Sequence, residues 1–64
     1  MRSALKELRI ESGLSQAALA SILKVSRQTI NAIETSRYDP SLTLAVRIAR
    51  HFNRPVEEIF YVKD

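Results

Sequence analysis

The chain has 64 residues, a formal net charge of +3 and no cysteine. This length allows one domain with a modest hydrophobic core. The lack of cysteine excludes disulfide bonds and thiolate metal sites, and the one histidine, His51, cannot form a zinc site alone. No metal or cofactor is expected. Small domains are often stabilised by disulfide bonds, a metal ion or a second subunit, and of these only the second subunit remains.

The positive charge suits a polyanionic partner, but it is mild and is also common among domains that are simply soluble. No apolar run is long enough to span a bilayer. The N-terminal residues 1–7 lack the apolar stretch of a signal peptide. We therefore expect a cytoplasmic protein that makes no membrane contact.

Helical periodicity dominates the chain, and no convincing strand pair is apparent. The first helix is predicted from about Ser3 to Ser12 and ends at Gly13, which can adopt a left-handed conformation. The second begins after Ser15, whose hydroxyl can cap free backbone N–H groups, and ends near Lys24. Its apolar stripe consists of Ala18, Leu19, Ile22 and Leu23.

The third helix begins with Ser26 as its N-cap and runs to about Thr35. Ile30 and Ile33 lie on one side of this helix. The rest of its surface carries basic or hydrogen-bonding groups, namely Arg27, Gln28, Asn31 and Thr35. The helix therefore has a narrow face for the core and a polar face for solvent or a partner.

A loop over residues 36–40 separates these helices from a fourth, predicted over Leu42 to Phe52 with Ser41 as its N-cap. Asn53 is a plausible left-handed end for this helix. Pro55 opens a short fifth helix, which leads into a short C-terminal tail. The elements predict an all-α, five-helix domain that occupies residues 1–64.

The second and third helices, joined by a short turn, form the pattern of a helix-turn-helix over residues 15–35. In such a unit the second helix enters the major groove of DNA while the first crosses the phosphate backbone. Arg27 can bond bidentately to guanine, and Gln28 and Asn31 can do so to adenine. A solvated amphipathic helix in an ordinary bundle is the other interpretation of this face.

Four further residues are candidates for contacts with the DNA backbone. Free N–H groups after Ser15 suit a phosphate, and the Gln16 side chain adds a donor. Lys24 and Arg37 flank the unit and carry positive charge. Gln16 could instead serve only the helix start, and Arg37 could be a solvated loop residue.

Four blocks of the chain carry a family resemblance: residues 13–20, 25–34, 38–42 and 55–60. In order and spacing they closely resemble the Cro/repressor family, also called the xenobiotic-response-element type. The resemblance covers nearly the whole chain. It implies a five-helix bundle of the phage-repressor DNA-binding-domain type, usually dimeric and most often a repressor that binds double-stranded DNA.

The resemblance also implies roles for single residues. Gln16 would contact a phosphate at the start of the second helix. Ser26, Arg27, Gln28 and Asn31 would face the major groove from the recognition helix.

The same resemblance pairs Arg9 with Glu34 in an internal salt bridge, and both lie on otherwise core-facing sides of their helices. Two positions depart from the family pattern. Lys24 stands where a glycine is common, and Thr35-Ser36 stands where Asn-Gly is common. The second departure puts the family's usual backbone-phosphate contact at this corner in question, although both hydroxyls can still donate.

The C-terminal residues 55–64 form a candidate dimerisation segment. Phe60, Tyr61 and Val62 are three large apolar groups at one terminus, more than a single short helix needs to bury. Core closure within one subunit is the alternative for this cluster.

We therefore expect a dimeric repressor that reads an inverted repeat, with half-sites about 34–36 Å apart. An antitoxin that binds a toxin and represses its own operon is an alternative with an additional protein partner. A helical protein-interaction module is another. An enzyme is a poor alternative, because the chain has no glycine-rich phosphate loop and no base–nucleophile set around its histidine.

Overall fold

A computed structural model describes residues 1–62 of the chain. The helices are α1 (Leu5–Glu11), α2 (Gln16–Leu23), α3 (Arg27–Glu34), α4 (Leu42–Phe52) and α5 (Val56–Ile59). They confirm the all-α, five-helix prediction, and the described residues measure 32 × 23 × 21 Å overall. In this part of the chain no helix combines the length and the apolar character that crossing a membrane requires.

Serine hydroxyls start the three longest helices. The Oγ atoms of Ser15, Ser26 and Ser41 accept backbone N–H groups three residues later, at 3.0, 3.1 and 3.1 Å. Each bond satisfies a donor that has no partner inside the helix. The predicted starts of α2, α3 and α4 are therefore confirmed, and each start has the serine N-cap from which it was predicted.

Helices α1 to α4 end in the same way, with a residue in the left-handed region followed by a return hydrogen bond. The left-handed residues and their φ angles are Gly13 (73°), Lys24 (59°), Ser36 (60°) and Asn53 (54°). The N–H group of the next residue donates to the carbonyl five residues back, at 2.9–3.1 Å. This is the Schellman arrangement, and it turns the chain sharply at each corner.

The core is assembled from one face of every helix. Its largest fully buried side chains are Leu5, Leu19, Ile30, Ile33, Ile48 and Ile59. Helices α2 and α3 pack against each other more extensively than any other pair of elements. Since Ile30 and Ile33 point into this core, the opposite face of α3 is left toward solvent.

One feature departs from the sequence-based prediction that no strand pair would form. Residues 2–3 form a short strand, β1, that pairs antiparallel with β2 at residues 60–61. The Ala4 N–H group continues the ladder by donating to the Ile59 carbonyl at 2.8 Å. Leu5 and Ile59 are both completely buried and bring the two termini together. Strands of two residues are too short to produce a visible alternation of apolar and polar residues.

Candidate DNA-binding surface

The outward face of α3 and the corners beside it form one shallow cleft of about 240 Å³. Five of the predicted DNA-contacting residues line it, namely Gln16, Arg27, Gln28, Asn31 and Arg37. Two are basic and three are amides, so the cleft combines positive charge with both donors and acceptors. This combination fits the edge of a base pair flanked by phosphates.

The first turn of α3 projects two free side chains. Arg27 and Gln28 are exposed, and within residues 1–62 neither enters a side-chain hydrogen bond or an ion pair. Ser26, predicted to face the groove, uses its hydroxyl as the cap and in a 2.9 Å bond with the Thr29 hydroxyl. Of the three side chains, the guanidinium of Arg27 and the amide of Gln28 are therefore the ones available to a partner.

The C-terminal half of α3 carries a closed network of side chains. Arg37 donates from Nη2 to Asn31 Oδ1 at 2.8 Å and from Nε to Thr35 Oγ1 at 3.0 Å. Thr35 in turn donates its hydroxyl to the Asn31 carbonyl at 2.9 Å. The left-handed turn at Ser36 brings Arg37 back over the helix and makes these contacts possible.

Gln16 contacts the pair that holds α1 to α3. Arg9 donates to the Glu34 carboxylate from Nε at 2.6 Å and from Nη2 at 3.1 Å, and Gln16 Nε2 donates to the same carboxylate at 3.1 Å. The hydrogen bond to Glu34 raises the pKa of Arg9, against an opposing effect of burial. The resemblance-based prediction of the Arg9–Glu34 pair is confirmed. Gln16 is held at the edge of the cleft by this bond.

Ser15 lies at the start of α2 beside Gln16, with its hydroxyl engaged by the Ala18 N–H group. Its capping role is therefore confirmed, while its predicted contact with a phosphate stays a prediction. Thr35 is exposed and its hydroxyl is likewise engaged, by Arg37 and by the helix backbone.

The C-terminal cluster divides into two parts. Phe60 belongs to the hydrophobic core of the chain and is 6% exposed, which corresponds to the core-closure alternative. Tyr61 and Val62 are 44% and 71% exposed. Residues 63 and 64 of the predicted dimerisation segment lie outside the described residues.

The sequence did not reveal that Arg37 contacts Asn31, six residues earlier. The one feature of the sequence that could have indicated this contact is the predicted helix end near Thr35. A left-handed residue after a helix end reverses the chain direction and brings the next residue back over the helix. Ser36 gives little indication of that conformation, because non-glycine residues seldom adopt it. The contact of Gln16 with Glu34 also went unpredicted, because it depends on how α2 packs against α3.

Comparison with known proteins agrees with this geometry. Residues 5–59 match a family described as helix-turn-helix. Over the full chain the protein is 50% identical to an uncharacterized HTH-type transcriptional regulator of Methanocaldococcus jannaschii, covering 97% of that relative. Relatives with the same description in Methanothermobacter thermautotrophicus and Bacillus subtilis are 49% and 41% identical, with 94% and 97% of their lengths covered. The chain therefore belongs to the Cro/C1-type helix-turn-helix family of DNA-binding transcriptional regulators.

Proposed function

We propose that the protein is a cytoplasmic repressor that binds an inverted-repeat operator as a dimer. In this proposal α3 of each subunit lies in a major groove and α2 crosses the adjacent phosphate backbone. Repression requires only that the protein occupy its site, which a DNA-binding domain can do by itself.

The observation that carries the proposal is the composition of the outward face of α3. Arg27 and Gln28 project freely from its first turn, and Asn31 follows one turn later. Arginine and the amides are the side chains that pair bidentately with guanine and adenine in the major groove. The opposite face is held by two completely or nearly completely buried isoleucines, so the helix can present its polar face without losing core contacts.

The backbone contacts would come from the rim of the same cleft. Gln16 and Arg37 lie at its edge, and Arg37 forms no ion pair with any described residue. An unpaired guanidinium can neutralise a phosphate, and this makes binding dependent on salt. Ser15 and the first turn of α2 would contribute backbone N–H groups to the same strand.

Dimerisation would use the exposed end of the chain. Tyr61 and Val62 are apolar groups that one subunit leaves largely uncovered. A two-fold dimer presents its two α3 helices one helical turn of DNA apart, which requires half-sites about 10–10.5 base pairs apart, centre to centre. Pairing of the subunits would also add buried area to a small core.

Selection from a random duplex library tests the proposal. We expect enrichment of an inverted repeat with that half-site spacing, together with altered base preference in an Arg27→Ala variant. The matched control is Arg47→Ala, which removes an exposed arginine from α4, outside the helix-turn-helix, and should leave the enriched motif unchanged. An enriched motif without symmetry would contradict the dimer, and no enriched motif at all would contradict sequence-specific binding.

A further inference from the structure

We propose that Arg37 is a positioning residue for base readout: it fixes the orientation of the Asn31 amide toward the DNA. This inference rests on the proposed function and specifies how one position of the operator is read. Arg37 would then contribute to sequence specificity as well as to backbone affinity.

The orientation of the Asn31 amide is defined by the chemistry of its partner. Arg37 Nη2 lies 2.8 Å from Asn31 Oδ1. A guanidinium has five donors and no acceptor, so only the oxygen of the amide can occupy that position. The Asn31 NH₂ group must therefore point away from Arg37.

Arg37 is itself held in place from two directions. Its Nε donates to Thr35 Oγ1 at 3.0 Å, while Thr35 donates to the Asn31 carbonyl at 2.9 Å. Its backbone N–H group donates to the Ala32 carbonyl at 2.9 Å, after the left-handed residue Ser36. The result is a ring of contacts that starts and ends on Asn31.

This ring has a consequence for recognition, because Asn31 also lines the cleft with Gln28 and Arg27. A freely rotating amide can offer a base either its oxygen or its NH₂ group. The Asn31 amide offers a fixed order of donor and acceptor, so its NH₂ group meets an acceptor such as purine N7. If the base is adenine, a bidentate contact requires the NH₂ group at N7 and the oxygen at the N6 amino group, so the fixed order leaves a single way in which Asn31 can meet that base.

Positioning does not prevent Arg37 from contacting a phosphate. Two of its five N–H donors are used in the ring, on Nε and on Nη2. The other donors stay free for the DNA backbone. The two roles predict different behaviour, because loss of a phosphate contact weakens binding to all sequences alike, whereas loss of positioning weakens the preference at one base pair.

The test compares three variants and one control variant on the duplex that the wild-type protein selects and on duplexes with each base pair changed in turn. Asn31→Ala identifies the base pair that Asn31 reads, through a loss of preference of about 5- to 150-fold there, the range for one good bidentate contact. Arg37→Ala removes both the charge and the ring. Thr35→Val keeps the charge of Arg37 and removes only the hydroxyl that holds it. Lys24→Ala removes a nearby charge outside the ring and serves as the control.

We expect Arg37→Ala and Thr35→Val each to reduce the preference at the Asn31 base pair by about fivefold or more. Neither should reduce it further in an Asn31→Ala background, and Lys24→Ala should leave it unchanged. Thermal unfolding of each variant verifies that the fold is retained. An unchanged preference in Arg37→Ala and Thr35→Val, with equal weakening on all duplexes, would overturn the inference and leave Arg37 as a phosphate contact.

The same experiment distinguishes failure of the proposed function from failure of the inference about Arg37. If the wild-type protein selects no motif, sequence-specific binding is wrong and the inference falls with it. If a motif is selected but Asn31→Ala changes no preference, only the inference is overturned.

Discussion

Arg9 in α1 and Glu34 at the end of α3 form a two-pronged ion pair with separations of 2.6 and 3.1 Å. The Glu34 side chain is only 2% exposed and that of Arg9 is 11% exposed. Arg9 also donates from Nη1 to the Leu14 carbonyl at 2.9 Å, and Gln16 supplies a further donor to Glu34. The pair thus fixes α1, the start of α2 and the end of α3 to one another.

Removal of one partner of this pair should destabilise the domain strongly. Glu34→Ala leaves the partly buried Arg9 guanidinium without its counter-charge, and the loss should approach, without exceeding, the value of about 3–5 kcal/mol for a fully buried pair. Urea unfolding followed by circular dichroism measures the change. Arg54→Ala is the control, because it removes an exposed pair with Glu58 that is worth about 0.3–0.5 kcal/mol. Similar losses in both variants would contradict a buried, structural pair.

Titration of Arg9 should not change the contribution of this pair to the free energy of unfolding near neutral pH. The bond to Glu34 raises the pKa of Arg9 in the folded state. A raised pKa on a basic group gives stability that is complete below its unfolded pKa and is lost only as pH rises through the folded value. Arginine in the unfolded chain already titrates far above neutral pH. A difference in unfolding free energy between wild type and Arg9→Met that changes from pH 7 to pH 9 would contradict this.

The backbone of Lys24 lies in the left-handed region, with φ at 59°, and we expect this conformation to be strained for a residue with a side chain. Lys24→Gly should raise the free energy of unfolding by about 1 kcal/mol, because glycine adopts the left-handed region without steric cost. Gly13→Ala is the mirror experiment, since an added Cβ would meet no atom within 4 Å and only the backbone changes. Gly13→Ala should lower the free energy of unfolding by a similar amount. Lys24→Ala is the matched control and should change stability little.

Gln16→Ala should weaken binding to all DNA sequences to a similar extent. Gln16 lies at the rim of the cleft, where a phosphate contact is expected. The variant also removes a hydrogen bond to Glu34, so unfolding must be measured beside affinity. Fluorescence anisotropy on selected and random duplexes gives the comparison. A loss confined to the selected duplex would count against the phosphate role.

Substitutions at Tyr61 and Val62 should dissociate the proposed dimer. Tyr61→Lys together with Val62→Asp places charges on the two exposed apolar positions, and sedimentation equilibrium should show a mass near that of one subunit. Leu42→Asp changes a residue that is more exposed than either, 78% accessible, at the start of α4 and should leave the mass unaltered. Phe60 is unsuitable for this test because its truncation would disrupt the core. A dimer that survives the double substitution would place the interface elsewhere.

The starts of α2, α3 and α4 were predictable because their signals are local, whereas α1 begins at Leu5 and not at the predicted Ser3, which lies in β1. Ser15, Ser26 and Ser41 each cap the helix that follows, as a hydroxyl before an apolar-periodic run indicates. The buried pair Ile30 and Ile33 was likewise predictable from spacing.

Features that depend on tertiary packing were not predictable in this way. Ile22 belongs to the apolar stripe predicted for α2 but is 47% exposed, because periodicity cannot show whether a neighbouring element covers the edge of a stripe. The strand pair between the termini and the Arg37–Asn31 contact both join residues that only the folded chain brings together. The candidate site was thus predictable as a set of residues, whereas their mutual contacts were not.

In the proposed function, the outward face of α3 reads base edges in the major groove. The most direct test combines Gln28→Ala with duplexes in which single purines of the selected site are replaced by 7-deazapurines, which lack the major-groove N7 acceptor. If Gln28 donates to one such nitrogen, the duplex change and the protein change should each weaken binding by about 1–3 kcal/mol, and the combination should weaken it no further. Full additivity at every purine would contradict base readout by this face.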